Sequence, residues 1–359
     1  MQRSLSDAAR ALGVRYPERG IVLTASGTTA LTLALDASST TRARVVALPA
    51  YACPDVAAAA IGAGFRIMLY DTNSHTLAPE LTSVQSALDR GASHVVVAHL
   101  CGRVSDVAPI RAIAERSGAV VIEDAAQHAG GSYDGIRAGQ LADWSILSFG
   151  RGKGLNAGGG GALVYATTSV DVPAITNYSS RLGQAISLGK AAVTDFLSTP
   201  TRFWIPAALP FLGIGETEFR EPVAVTGMSP AAATLLCAAL TRESTAIAQR
   251  QDVERFYEEN LTDVAAVTCI ARDHRAVSGA LRFPIRIDSP RASALTNLGV
   301  VRFYPRTLHD YAQIQRHVIG PLPEMPGADA LSQTLYTLPT HELVTMSERQ
   351  EIVARLRAR

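Results

Sequence analysis

The chain has 359 residues, 47% of them hydrophobic and 18% charged, which excludes a disordered chain and supplies a sizeable core. At about 150 residues per domain, that length reads as two domains, or one large and one small. With 33 Lys+Arg against 32 Asp+Glu, a formal charge of +1, no global field draws in nucleic acid or an anionic membrane.

The segment Met1–Val14 carries Arg3, Asp7 and Arg10 and no continuous apolar run. It does not read as a signal peptide, and a cytoplasmic location is expected. Candidate strands follow at Arg44–Leu48, Arg66–Tyr70, His94–Leu100, Ala119–Glu123, Ser145–Phe149 and Gly161–Tyr165. Each is a short run rich in Val, Ile or Leu, as in strands buried on both faces. Helical patterns lie between them at Thr28–Asp36, Asp55–Gly64, Leu81–Leu88 and Ala108–Ser117. The last follows Ser105-Asp106, a plausible cap, and stops at Gly118. This alternation predicts a mostly parallel sheet with helices on both faces. Ligands of such sheets gather at the carboxyl ends of the strands.

Beyond Tyr165 the rhythm breaks. The apolar stretch Phe196–Ile214 holds Phe203, Trp204 and Phe211, but Pro200, Pro206, Pro210 and Arg202 interrupt it. It is no transmembrane helix. Buried packing is the expected role; a dimer contact, a substrate lid or a lipid-touching surface helix are the alternatives. Ser229-Pro230 is a helix start, with Ser as N-cap and Pro in the first turn. One long helical pattern runs from there to about Leu261. Strand candidates Ala280–Ile287 and Val300–Tyr304 follow, and then a final helix opening at Thr345 with Glu348 three residues on.

Cysteine and lysine usage narrows the chemistry. Cys53, Cys101, Cys237 and Cys269 are far apart and form no CxxC pair, which argues against a zinc ribbon or a disulfide scaffold. Lysine occurs only at Lys153 and Lys190. A lysine kept where arginine is otherwise used throughout suggests a need for an amine, which guanidinium cannot supply. For Lys190 chance survival is the simpler account.

Three constellations carry candidate chemistry. Thr24-Ala25-Ser26-Gly27-Thr28-Thr29 opens a helix, where free amides and the positive dipole end make an anion site; an ordinary Ser/Thr cap is the alternative. Val120–Asp124 is a buried run ending in two carboxylates. Asp124 could pair with a cationic ring nitrogen, or it could cap the next segment. Ser145–Phe149 delivers Ser148 to a strand end, and a Gly-rich loop then presents Lys153 between Gly152 and Gly154. That access suits a Schiff-base lysine; a solvated surface lysine is the alternative.

In this order the three sets resemble the fold-type-I pyridoxal-phosphate (PLP) enzymes, and more closely the DegT/DnrJ/EryC1/StrS family of sugar aminotransferases. The matching residues are SGTTAL (26–31), EDAAQ (123–127) and the segment from Ser148 to Lys153 with GGGGA (158–162). HLCG (99–102) and LPTHEL (338–343) also match, and the resemblance covers about residues 20–165 and 229–355.

The resemblance implies an α/β fold of type I, a mostly parallel sheet flanked by helices, with a smaller C-terminal α+β domain. Residues 1–228 would form the large PLP-binding domain, with 166–225 an atypical apolar insertion, and 229–359 the linking helix and small domain. Lys153 would form the internal aldimine and shuttle the proton, and Asp124 would pair with the pyridinium nitrogen. Gln127 would lie against the ring. Ser148, Gly27, Thr28 and the Thr29 amide would hold the phosphate. Cys53 stands where the family often stacks an aromatic ring, with Tyr51 two residues earlier, so either is a candidate for the ring face. Val225 and Gly227 stand near an asparagine and an arginine that many members supply from the neighbouring subunit.

The implied activity is transfer of an amino group from an amino acid, L-glutamate first, to a keto sugar, nucleotide-linked, by a homodimer. One alternative keeps PLP and takes a non-sugar ketone or aldehyde of a lipid or natural-product pathway. Another is a non-catalytic sensor or scaffold. No metal, nucleic-acid partner or integral membrane segment is expected. His99 and His128 could touch cofactor or substrate, or be structural. Arg151 could bind a phosphate or carboxylate, or be a surface arginine. Arg302 to Arg306, with Tyr304 between, could reach the site from the small domain.

Overall fold

The computed structural model describes residues 2–39, 43–167, 172, 173, 175, 177, 218–287 and 295–358. Lys190 and the stretch Phe196–Ile214 lie outside the described residues.

The first half runs α1 (Gln2–Arg15), β1 (Arg19–Thr24), α2 (Gly27–Ala37), β2 (Val45–Pro49), α3 (Pro54–Gly62), β3 (Arg66–Tyr70), α4 (Leu81–Asp89), β4 (His94–Ala98), α5 (Ala108–Ser117) and β5 (Val120–Asp124). The short strands β6 (Ser132–Tyr133) and β7 (Ile136–Arg137) precede β8 (Trp144–Ser148) and β9 (Gly161–Ala166). All six expected strands and all four expected helices form. Helix α1 and strand β1 are additions, because the apolar signal of each is short. Asp106 accepts from the Ala108 amide (3.0 Å), but the residue at the start of α5 is Val107, not Ser105 or Asp106. Gly118 ends α5 in the left-handed conformation, φ 60°.

Seven strands form one sheet in the order β1-β9-β8-β5-β4-β2-β3. β3, β2, β4, β5 and β8 run parallel. β9 is antiparallel to both β8 and β1. Every residue of β2 and β4 is buried, because side chains alternate between two covered faces. Val46 and Leu48 pack with Leu31, Leu35 and Val56 on one face. Val45 and Ala47 pack with Val84, Leu88 and Ile110 on the other.

The long helix expected from Ser229 is two helices, α6 (Pro230–Thr241) and α7 (Glu243–Leu261), broken at Arg242. The break sets the Glu243 carboxylate among Arg15 and Arg137 on α1 and β7, and burying a carboxylate requires such partners. Ser229 caps α6 by accepting from the Ala232 amide at 3.1 Å. The remaining elements are β10 (Thr268–Cys269), β11 (Ala276–Val277), β12 (Arg282–Arg286), β13 (Val301–Arg302), α8 (Ala312–Gln315), α9 (Pro326–Thr334), β14 (Leu335–Pro339) and α10 (Met346–Arg357). Strand β13 is shorter than the expected Val300–Tyr304. That leaves Tyr304 outside the ladder, where its ring faces the first sheet.

A second, four-stranded antiparallel sheet runs β10-β12-β14-β13. α7 and α10 cover it through Val253, Tyr257, Leu261, Ile352 and Leu356 against Phe283 and Leu338. The Thr345–Glu348 capping box forms as the sequence predicts. Asp71, just past β3, accepts from the Gly327 (3.0 Å) and Ala328 (2.8 Å) amides at the start of α9. A carboxylate on a helix start ties the small sheet's neighbourhood to the large sheet. Among the described residues no helix is long and apolar enough to cross a membrane.

Candidate active site

At the carboxyl ends of the parallel strands a cleft is lined by Gly27, Thr28, Cys53, Asp55, His99, Asp124, Gln127, Ser148, Lys153 and Tyr304, among others. Strand alternation separates the two carboxylates that end β5. Glu123 turns away from the cleft and is fully buried. It accepts from His99 Nε2 (2.9 Å), Gly139 N (2.6 Å), Leu141 N (2.9 Å) and Ser145 Oγ (2.8 Å). The Ser105 amide donates to His99 Nδ1 at 3.3 Å. An amide cannot accept, so the ring proton sits on Nε2. Burial alone would raise the Glu123 carboxyl; these donors outweigh it and hold it below the usual range.

Asp124 faces the cleft. Its Oδ1 accepts from the Ala126 amide at 3.0 Å, so it caps the next turn and borders the cavity at once. Burial raises its carboxyl above the usual range, against the pull of Ala126, Lys153 and His99. A buried carboxylate in that state favours a cationic neighbour.

Gln127 is oriented by hydrogen-bond polarity. Its Oε1 accepts from the Cys101 amide (3.0 Å), and its Nε2 donates to Tyr304 Oη (2.7 Å). Tyr304 therefore accepts from Gln127 and keeps its own hydroxyl proton for another acceptor. Tyr51 is fully buried, its Oη accepting from the Tyr304 amide (3.1 Å) with ring centroids 5.5 Å apart. Of the two ring-face candidates, Cys53 borders the cleft and Tyr51 does not.

The start of α2 meets the end of β8. A Cβ on Gly27 would lie 2.8 Å from Ser148 Cβ, so only glycine lets the helix start reach the serine. Ser26 caps α2 by accepting from the Thr29 amide at 3.1 Å. Thr29 is buried, its amide donates to the cap, and it does not border the cleft. Gly27 and Thr28 border it instead, and first-turn amides have no partner within their own helix.

Lys153 sits in the loop between β8 and β9, partly exposed, its amide donating to Gly150 O at 3.2 Å. Among the described residues no hydrogen bond or ion pair engages its ammonium. Arg151 is exposed and does not border the cleft. Arg302 donates to Ser332 O and Arg306 lies over the Tyr311 ring; of that segment, Tyr304 reaches the site. Asp55 borders the cleft without having stood out in the sequence. An acid in the first turn of α3 reads as an ordinary dipole complement. Among the described residues no His/Cys/Asp/Glu group could hold a metal ion.

His128 lies behind the cleft. The Gly130 amide donates to its Nδ1 (2.9 Å), so Nε2 carries the proton, 3.5 Å from Tyr16 Oη. Burial, with Arg137 and His99 nearby, pushes its pKa well below the ordinary value. On acidification the unfolded chain takes up this proton first. The folded state should therefore lose stability as pH falls below about 6.5, by about 1 kcal/mol at about pH 5.5. Urea unfolding at about pH 7.5 and about pH 5.5 checks this, and His128→Gln should reduce the difference.

A mostly parallel sheet whose strand ends gather an amine, a carboxylate and a helix start has the architecture of a fold-type-I transferase. The chain belongs to the DegT/DnrJ/EryC1/StrS aminotransferase family, whose sequence profile matches residues 7–174 and 216–357. GDP-perosamine synthase of Caulobacter vibrioides is 25% identical over 345 residues, 92% of this chain and 83% of that protein. Protein MosB of Rhizobium meliloti is 37% identical over 40% of this chain. L-glutamine:2-deoxy-scyllo-inosose aminotransferase of Streptomyces fradiae is 30% identical over 47% of this chain and 39% of that protein. The match spans 28% of MosB and 33% of the Streptoalloteichus tenebrarius inosose aminotransferase. Among solved structures, S. venezuelae DesV in complex with a ketimine intermediate superposes with TM-score 0.77 at 18% identity, covering 99% of this chain and 88% of that one. A Brucella abortus family member gives 0.75 at 20%, covering 99% and 89%. These likenesses show the fold.

Proposed function

We propose that this chain is a PLP-dependent aminotransferase, working as a homodimer, that moves an amino group from L-glutamate or a similar amino acid to a nucleotide-linked keto sugar. The supporting observation is the convergence of Lys153, Asp124, Ser148 and Thr28 on one cleft. The donor set fits PLP. Thr28 and Ser148 would meet its phosphate where Gly27 leaves room, and Asp124 is a buried carboxylate that a ring cation would satisfy. PLP, when bound, supplies an aldehyde carbon that takes the amino group and a ring that withdraws electrons. Asp124 would hold the proton on the ring nitrogen, its Oδ1 being taken by the Ala126 amide. Gln127 and Cys53, which line the cleft, would border the ring. Lys153 Nζ would be the attachment amine and would move the proton at the substrate carbon. The relatives named for keto-cyclitol and GDP-sugar chemistry support a sugar-like acceptor; the absence of asparagine and arginine at Val225 and Gly227 favours testing other ketones beside it.

The test is the absorbance spectrum of the protein with PLP, before and after L-glutamate or L-glutamine. The expected result is a visible band that the amino acid bleaches and a keto acceptor restores. A panel of nucleotide-linked keto sugars, free keto-cyclitols and non-sugar ketones then assigns the acceptor. No visible band would overturn the reading in favour of a non-catalytic scaffold.

A further inference from the structure

Two segments must stay in register for the site to work: the turn after Gln127, which follows Asp124, and the loop that carries Lys153. They touch directly, since a Cβ on Gly154 would lie 2.4 Å from Ala129 Cα. Ala129 and Gly130 are both in the left-handed region, φ 49° and 92°. Helix α7 backs both. A Cβ on Gly130 would lie 2.2 Å from Ile247 Cδ1. One turn on, Arg250 Nη2 donates to the Gly154 carbonyl at 2.9 Å. Ile247 and Arg250 are three residues apart and so share one helix face.

Arg250 is only 9% exposed; Glu342 and Glu243 act on its charge at longer range, but among the described residues no carboxylate lies within ion-pair distance of it. Buried arginines are ordinarily paired. Here the guanidinium's hydrogen bond goes instead to the carbonyl of the residue next to Lys153. We propose that Arg250 is a positioning residue for Lys153, and that α7 thereby sets the reacting amine against Asp124. The inference rests on the reading of Lys153 as the reactive amine.

Because the chain has only two lysines, the amine can be read without PLP. The PLP-free full-length protein is labelled with a trace acylating reagent across a pH series. Mass spectrometry then gives the rate at Lys153 relative to Lys190. Arg250→Ala should change the relative rate and its pH profile, and Arg250→Lys should restore part of it. Val253→Ala, a core change on the same helix, should lower the unfolding temperature and leave the profile alone. With PLP added, Arg250→Ala should attach the cofactor about 10- to 100-fold more slowly, as expected for a reacting group displaced by about 1 Å. Arg250→Met replaces Arg250→Ala if the latter does not fold. A wild-type labelling profile in the Arg250 variants, with only the unfolding temperature lowered, overturns the proposal. A wild-type protein with no PLP band overturns the functional reading, whereas the labelling result stands on the free amine.

Discussion

Lys153→Ala should lower amino transfer by at least about 10⁴-fold, since one residue supplies both the attachment amine and the proton carrier. The fold should be untouched. Lys153 is partly exposed and its ammonium makes no hydrogen bond or ion pair among the described residues, acting on Asp124 only at longer range, so the change in unfolding free energy should stay within about 1 kcal/mol. Lys153→Arg should not rescue activity, because guanidinium stays protonated and cannot attack a carbonyl carbon. Single-turnover kinetics with the amino donor, beside the visible spectrum and a urea unfolding curve, measure these effects. Full turnover in Lys153→Ala would sink the assignment of this cleft as the reaction centre.

Asp124→Asn should lower the donor half-reaction by about 10²- to 10³-fold, or about 3–4 kcal/mol of barrier, the scale of removing one preorganised electrostatic partner. Asparagine keeps the shape and an oxygen for the Ala126 amide, so the loss isolates the charge. The PLP-free protein should be no less stable than wild type. Burial raises this carboxyl above the usual range. Ionised Asp124 therefore weakens the empty fold at neutral pH, and the penalty fades as pH falls through its folded pKa. A functional carboxylate held against its own stability shows this opposition of signs. Equal losses of activity and stability would mean that Asp124 is chiefly a turn cap.

Helix ends were legible because their signals lie within three residues of one another. Ser229 with Pro230, Thr345 with Glu348 and the left-handed Gly118 all cap as read. Sheet strands were legible because burial on both faces demands an unbroken apolar run, as in β2 and β4. Strand β1 was missed. It sits at the sheet edge with a three-residue apolar run, and its Gly20 makes room for the Tyr165 ring. The break at Arg242 was also missed, because the helical pattern is continuous across it and the carboxylate that turns inward there answers arginines from α1 and β7.

Lys153 was legible from scarcity and its glycine neighbours alone, and the parallel sheet from alternation alone. Asp124 was read from its place at the end of β5, but the role of Glu123 needed the tertiary structure, because its four donors come from His99, Gly139, Leu141 and Ser145. Tertiary structure also set Cys53 and not Tyr51 at the cleft, bound the Thr29 amide into a cap, brought Tyr304 to Gln127 across 177 residues of sequence and set Arg250 behind Lys153. Capping and periodicity are local energies that a few residues settle by themselves. The cleft is built from contacts between distant segments, and only the packed chain brings those together.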